Sequence, residues 1–235
     1  MHTLRPFSFA VFVLSFCVAA ANAGNVAGKV SFKGSQPPRS FVPLNGDRTC
    51  SKLHGDAPVP SDGLVVNQNS TVKNVFIYVK NGLNGKKFPI PQTHAVLNQQ
   101  GCMYSPHVLG MQAGQQLDIL NSDQVIHNVH AMPHNSTPFN IAQTKKGKMD
   151  TKTFDRPEIM VKVVCNVHNW MASYIGVLDH PFFAVTDDKG NFEIKGLPPG
   201  EYDLEAWHEK LGTQTLHVKV GKADVKNSDF TFSGR

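Results

Sequence analysis

Ile159-Met160-Val161-Lys162-Val163-Val164-Cys165-Asn166-Val167-His168-Asn169-Trp170-Met171 is the most informative stretch of this sequence. A β-branched apolar run reads as a strand, and it passes directly into a cysteine. His168 follows three residues later, and Met171 three residues after that. A loop this short can fold three side chains back toward one point. A further imidazole must then come from another strand. His127, in Asn121-Ser122-Asp123-Gln124-Val125-Ile126-His127-Asn128-Val129-His130, lies 38 residues before Cys165 (165 − 127). That separation lets a strand and a long connection return to the same end of a β-sandwich. Two imidazoles, a thiolate and a weak thioether make a trigonal site with a long axial bond, which selects copper over harder cations. Zinc also takes Cys and His, but a thioether gives it nothing. Zinc, or a purely structural Met171 with no metal, are the plainer alternatives.

Outward from this loop the chain reads almost entirely as short strands and turns. Val26–Phe32, Asn74–Val79, Val108–Ala113, Gln116–Leu120, Val125–Met132, Ile159–Val164 and Tyr174–Leu178 are strand-like. So are Phe182–Thr186, Asn191–Ile194, Tyr202–Trp207 and Leu216–Val220. Residues 44–71 and Phe139–Arg156 are polar and read as loops, and no amphipathic helix stands out. β-Branched runs broken by Gly, Pro, Asn and Asp predict an all-β sandwich architecture. In Asn74–Lys80, Phe76 and Tyr78 share one face and Val75, Ile77 and Val79 the other.

Composition limits the partners. The 235 residues are 40% hydrophobic and only 17% charged, with a formal net charge of +5. That excludes a charged disordered chain, and the basic excess is too small to argue for nucleic acid. At the N-terminus, His2 and Arg5 precede an apolar run from Phe7 to Ala21. Ala21-Asn22-Ala23 is a small-x-small cleavage site, so residues 1–23 read as a signal peptide. No later stretch approaches the ~18 apolar residues of a membrane span. An exported, periplasmic or extracellular protein without a membrane span is expected.

Export makes the cysteines informative. Removal of Cys17 leaves Cys50, Cys102 and Cys165, an odd number for an oxidising compartment. A metal-bound Cys165 is protected from oxidation, which leaves Cys50 and Cys102 to pair. A bridge across a loop of about 50 residues contributes roughly 3–4 kcal/mol on the chain-entropy model. The alternative is a buried Cys102 thiol with Cys50 unpaired.

With these residues in hand, Val108–Leu178 resembles the cupredoxins, the small blue copper proteins, and among them the amicyanin and plastocyanin type. The resemblance rests on His127-Asn128-Val129-His130 and on Cys165-x-x-His168-x-x-Met171. The His-to-Met spacing is the short, amicyanin-like one; plastocyanin-like loops have four residues there. Val163-Val164 replaces the usual aromatic strand before the cysteine. By position the resemblance implies a Greek-key sandwich with His127, Cys165, His168 and Met171 as ligands of one type 1 copper, and His130 as a non-ligand. It also implies that the edge of His168 reaches the surface through an apolar patch, with Trp170 in that patch.

Phe183–Ile194 and Gly196–Leu204, joined by Asp-Asp-Lys-Gly and Pro-Pro-Gly turns, resemble a carboxypeptidase regulatory-like (transthyretin-like) β-module. Its usual first two strands do not precede Phe183, but Gly28–Phe32 and Asn74–Val79 match them. The expected organisation is a signal peptide at 1–23, a β segment at 24–92 that completes the C-terminal module, a cupredoxin domain at 93–179, and the module itself, a second small β-sandwich, at 180–235. A tandem arrangement is the alternative. The module argues no function by itself.

The remaining histidines have plainer readings: His107 and His208 as packed residues, His134 as a loop residue. The lysines at 145, 146, 148 and 152 read as a solvated loop, or as a docking patch for an acidic redox partner. Four protein ligands and no evident open position argue against substrate chemistry. The expected function is a one-electron carrier, not an enzyme, serving a protein electron donor and acceptor. Copper binding and delivery in the periplasm is the alternative.

Overall fold

Alternating burial shapes the first strand, β1 (Gly24–Lys33), which turns Val26, Val30 and Phe32 inward. The computed structural model describes residues 23–234; the signal-peptide reading of 1–23 falls, except for Ala23, outside the described residues. After β1 come one short helix, α1 (Arg48–Leu53), and strands β2 (Phe76–Asn81), β3 (Ala95–Gln100), β4 (Met103–Ser105), β5 (Val108–Gln112) and β6 (Gln116–Asn121). Next are β7 (His127–Ala131), β8 (Phe139–Gln143), β9 (Met149–Thr153), β10 (Glu158–Val164) and β11 (Ala172–Leu178). The chain ends with β12 (Phe183–Val185), β13 (Asn191–Leu197), β14 (Gly200–His208), β15 (Gly212–Val220) and β16 (Phe230–Ser233). The fold is all-β, as the turn-punctuated sequence implies. Among the described residues, no helix is long and apolar enough to cross a membrane.

Among the described residues, four sheets surround two cores. The sheets β13-β1-β16 and β12-β2-β14-β15 enclose one core around Val30, Ile77, Ile194, Leu204 and Phe232. β1 and β2, from residues 24–92, therefore lie in sheets with strands from 180–235. The sheets β4-β3-β6-β9 and β5-β11-β10-β7-β8 enclose the second core around Leu97, Ile119, Val129, Val163 and Ile175. Leu44 and Cys50, also from residues 24–92, pack into this second core.

The two sandwiches meet on β2, whose two faces are both buried. Ile77 and Val79 enter the first core, while Phe76 and Tyr78 pack with Val108 and Leu178 at the junction. Glycines make room for the rings. Gly110 and Gly176 are paired across β5 and β11. A Cβ on Gly110 would lie 2.3 Å from the Phe183 ring, and one on Gly176 2.4 Å from the Phe76 ring. Interiors this densely packed cannot absorb such an overlap without displacing the rings.

Several elements depart from the expected pattern. β3 and β4 occupy a stretch not read as strand, and β8 and β9 fall inside the expected polar loop Phe139–Arg156. β16 adds a terminal strand parallel to β1. Residues 44–71 hold α1, whose N-cap Asp47 accepts from the backbone N–H groups of Thr49 and Cys50.

Candidate metal centre

β10 and β11 pair up to Val164 and Ala172, so residues 165–171 form the loop that closes this hairpin. Backbone bonds tighten it: Met171 N–H donates to the His168 carbonyl at 2.9 Å, and Cys165 N–H to the Met171 carbonyl at 3.3 Å. β7 lies beside β10, with Val164 opposite His130. This register brings the start of β7 to the mouth of the loop. Asn128 ties the two together, because its side-chain oxygen accepts from Asn166 N–H and its own N–H points at Cys165 Sγ.

Three of the four expected ligands meet as a cluster. The Nδ1 atoms of His127 and His168 are 3.0 Å apart, and Cys165 Sγ is 3.9 Å from His168 Nδ1. All three donor atoms lie within 4.8 Å of one another. His127 is fully buried, and Cys165 and His168 are each only 2% exposed. Met171 is fully buried in the same core, with its backbone in the loop's hydrogen bonds. His130 stands apart and faces Asn166 Oδ1 at 3.3 Å.

The outer nitrogens of the imidazoles determine which way each ring faces. His127 Nε2–H donates to Asp123 Oδ2 at 2.9 Å. Asp123 is itself buried, and it also accepts from the backbone N–H groups of Gly101 and Cys102, each at 2.8 Å. His168 Nε2 faces Asp47 Oδ2 at 3.5 Å and Cys50 Sγ at 3.4 Å. With its Nε2 on a carboxylate, each ring presents Nδ1 inward, as a metal-binding histidine does. Two inward lone pairs and a thiolate repel one another unless a cation or a shared proton lies between them. Nitrogens about 2 Å from a common ion can adopt the observed separation, so the residues fit a mononuclear metal.

The charges follow from these contacts. Burial pushes the Cys165 thiol up, but the His127 side chain and the N–H groups of Asn128, His168 and Val167 outweigh it and hold the thiol below its ordinary value. Burial pulls His127 down, yet Asp123 and Cys165 outweigh it, so this imidazole ends above its ordinary value. Burial and the charge of His127 hold His168 below its ordinary value. These contacts ease loss of the Cys165 proton, and the thiolate is the form that binds metal.

The disulfide between Cys50 and Cys102 is present, with Cα atoms 5.7 Å apart, and Cys165 is the free cysteine among the described residues. Cys50 and Cys102 also lie near His168 and His127, but their sulfurs are committed to each other.

One expectation is overturned. The edge of His168 does not reach the surface through an apolar patch: α1 and the disulfide cover it, leaving the residue 2% exposed. Trp170 is half-buried beside it. Their ring centroids are 5.2 Å apart, and the indole N–H donates to the Cys102 carbonyl at 3.0 Å. The sequence reading also missed Asp123 and Asp47. A carboxylate four residues before His127 was the available signal for Asp123. Asp47 had none, because its approach to the site depends on the fold of α1.

Three histidines outside the cluster have other partners. His107 Nδ1 faces the Ala172 carbonyl at 3.1 Å and its Nε2 the Glu209 carboxylate at 2.5 Å. His134 is exposed and sits on Glu158 at 3.0 Å. His208 packs within the first sandwich against Phe232. The side chains of Lys145 and Lys146 are exposed, while Lys148 pairs with Asp150 at 3.1 Å.

No protein-family model matches the chain, and no curated protein matches it. Among solved structures, the copper-containing nitrite reductase from Thermus scotoductus SA-01 is similar over 40% of this chain and 24% of its own, with 21% identity and a TM-score of 0.34. The purple cupredoxin from Nitrosopumilus maritimus is similar over 35% of this chain and 98% of its own, with 22% identity and a TM-score of 0.31. An oxidised proline-to-glycine mutant of amicyanin is similar over 43% of this chain and 97% of its own, with 17% identity and a TM-score of 0.33. The chain thus spans about a quarter of the nitrite reductase it matches. What the centre can hold is set by its own donors.

Proposed function

We propose that this chain is an exported type 1 copper protein that carries single electrons between a protein donor and a protein acceptor. One observation carries the reading: the buried Cys165 sulfur clusters with the Nδ1 atoms of two buried histidines. His127, Cys165 and His168 would hold copper, with the thioether of Met171 as a fourth, weaker donor. When bound, copper supplies a one-electron couple. The chain's residues supply the rest. Asp123 orients His127, and Asn128 holds the loop against β7. The core around Val129, Val163 and Met171 excludes water from the thiolate. A site held on paired strands resists rearrangement, which suits electron exchange better than substrate chemistry. Copper also fits the residue types better than zinc, because a thioether is a soft ligand.

Export fits a chain that carries a disulfide, since such bonds persist in oxidising compartments. Burial of the donors favours retention of copper over delivery, because a delivery site needs ligands that another protein can reach. The test is the visible and EPR spectrum of the Cu(II)-loaded mature protein beside Cys165→Ser. An intense thiolate-to-copper charge-transfer band with narrow hyperfine splitting is expected, and it should vanish in the variant. A pale protein with an ordinary Cu(II) spectrum, unchanged by the substitution, would remove Cys165 from the metal and end the carrier reading.

A further inference from the structure

We propose that Asp47–Leu53, fastened by the Cys50–Cys102 disulfide, seals the metal centre and sets how fast copper enters and leaves. This inference rests on the copper reading above. His168 is covered from two parts of the chain. Trp170 comes from the ligand loop itself, but Asp47 Oδ2 at 3.5 Å and Cys50 Sγ at 3.4 Å come from a segment some 118 residues earlier in the chain.

That segment has little holding it of its own. In α1 only Cys50 is buried, and Arg48, Thr49, Lys52 and Leu53 face solvent. A helix of six residues is far below the length that is stable alone. Its neighbours give a few anchors: Leu44 in the second core, Val42 N–H on the Val59 carbonyl at 2.8 Å, and His54 Nε2 at 2.7 Å from the Gly101 carbonyl. Segments with few buried apolar contacts open locally far below the global unfolding free energy. A cross-link to a rigid sheet restrains such opening.

The far end of the cross-link reaches both imidazoles. Cys102 N–H donates to the same Asp123 oxygen that accepts from His127 Nε2. The Cys102 carbonyl accepts from the indole of Trp170, which packs on His168. The disulfide therefore ties the cover of His168 to the carboxylate that orients His127. An open clasp frees the approach to His168 and loosens the support of His127 together. A competing entrance lies at Ile126 and Val167, which are exposed and each next to a proposed ligand.

The experiment uses the full mature chain, stripped of metal with a chelator, in three forms: intact, Cys50→Ala with Cys102→Ala, and Asp47→Ala with the disulfide kept. The first readout needs no copper: diethylpyrocarbonate modification of His168, followed by peptide mass spectrometry. The second is the rate at which the charge-transfer band grows on adding Cu(II) and fades on adding a Cu(II) chelator. Circular dichroism establishes that each form is folded. The seal predicts slow modification and slow exchange in the intact chain. Both should quicken at least about tenfold in the double variant and by less in Asp47→Ala. Equal rates in all three forms would place the entrance elsewhere, at Ile126 and Val167, and overturn the proposal. If the double variant fails to fold, Asp47→Ala decides alone, since unchanged His168 labelling there sinks the seal. If no form develops the band, the copper reading fails, while His168 labelling still decides whether the segment is a cover.

Discussion

Each sandwich buries two histidines, and the two pairs are wired in opposite ways. In the first sandwich, His180 and His208 are 5% and 1% exposed. The Nε2–H of His180 donates to the Val79 carbonyl at 3.0 Å, and its Nδ1 accepts from Phe182 N–H at 3.2 Å. His208 Nδ1 accepts from Lys210 N–H at 3.1 Å. His180 is a strut between two backbone groups, and His208 is held by one. Burial holds both below the ordinary value, His208 at about 4. In the second sandwich, His127 and His168 are buried as deeply, but each sets its outer nitrogen against a carboxylate and its inner nitrogen toward the other ring. Burial alone does not mark a functional histidine. What marks one is a nitrogen whose lone pair faces other lone pairs.

The largest test of that contrast is metal loading. A ligand that binds only the folded state stabilises it by about 4 kcal/mol at a thousandfold excess over Kd. Cu(II) should therefore raise the melting temperature of the intact chain strongly, and of His208→Gln by as much. Cys165→Ser should lose the gain. A His208→Gln protein that no longer responds to copper in calorimetry would erase the distinction between the two pairs.

A somewhat smaller effect belongs to the structural pair. The folded value of His208 lies near 4, and an unfolded histidine titrates near 6.5. Between those values the unfolded chain binds a proton that the folded one does not, so stability falls as pH drops. The loss is complete below the folded value and amounts to about 3 kcal/mol. Denaturant midpoints of the metal-free protein should decline from about pH 6.5 to 4, before most carboxylates titrate. His208→Gln, an uncharged amide, should flatten that part of the profile. An unchanged slope would mean that another group carries it.

The two pairs were not equally legible in the sequence. Cys165, His168 and Met171 declare themselves because their chemistry sits within one loop, and His127 because it opens a strand after a polar turn. The strands with alternating apolar residues could be read directly. β9 could not: its Met149-Asp150-Thr151-Lys152-Thr153 has no inward apolar stripe, and its pairing with β6 makes it a strand. β3 hides in a similar way. Gln99 looks like a surface residue but is buried, bonded through its amide to Gln143 at 2.5 Å. The cover of His168 was the least legible feature, because six helical residues show no periodicity and the contact spans about half of the chain.

The finest test concerns Asp123, the carboxylate that distinguishes His127 from His180. Asparagine keeps the shape but removes the charge and one acceptor: its single oxygen can still serve Cys102 and the imidazole, while its amide nitrogen cannot accept from Gly101. A neutral partner makes the His127 ring less basic at Nδ1 and less firmly fixed. Loss of such support typically lowers metal affinity 10–100-fold, equivalent to about 1.4–2.7 kcal/mol. Removing a buried negative charge beside the centre also disfavours the more highly charged oxidised ion. Asp123→Asn should therefore bind Cu(II) more weakly in competition titrations and show a higher reduction potential, with its charge-transfer band kept. The band matters because Asp123 touches no donor except through His127. An unchanged potential with weakened binding would make Asp123 a positioning residue alone. An unchanged affinity would mean that a backbone partner, as at His180, serves a metal-binding imidazole equally well, and the contrast between the pairs would then lie only in where Nδ1 points.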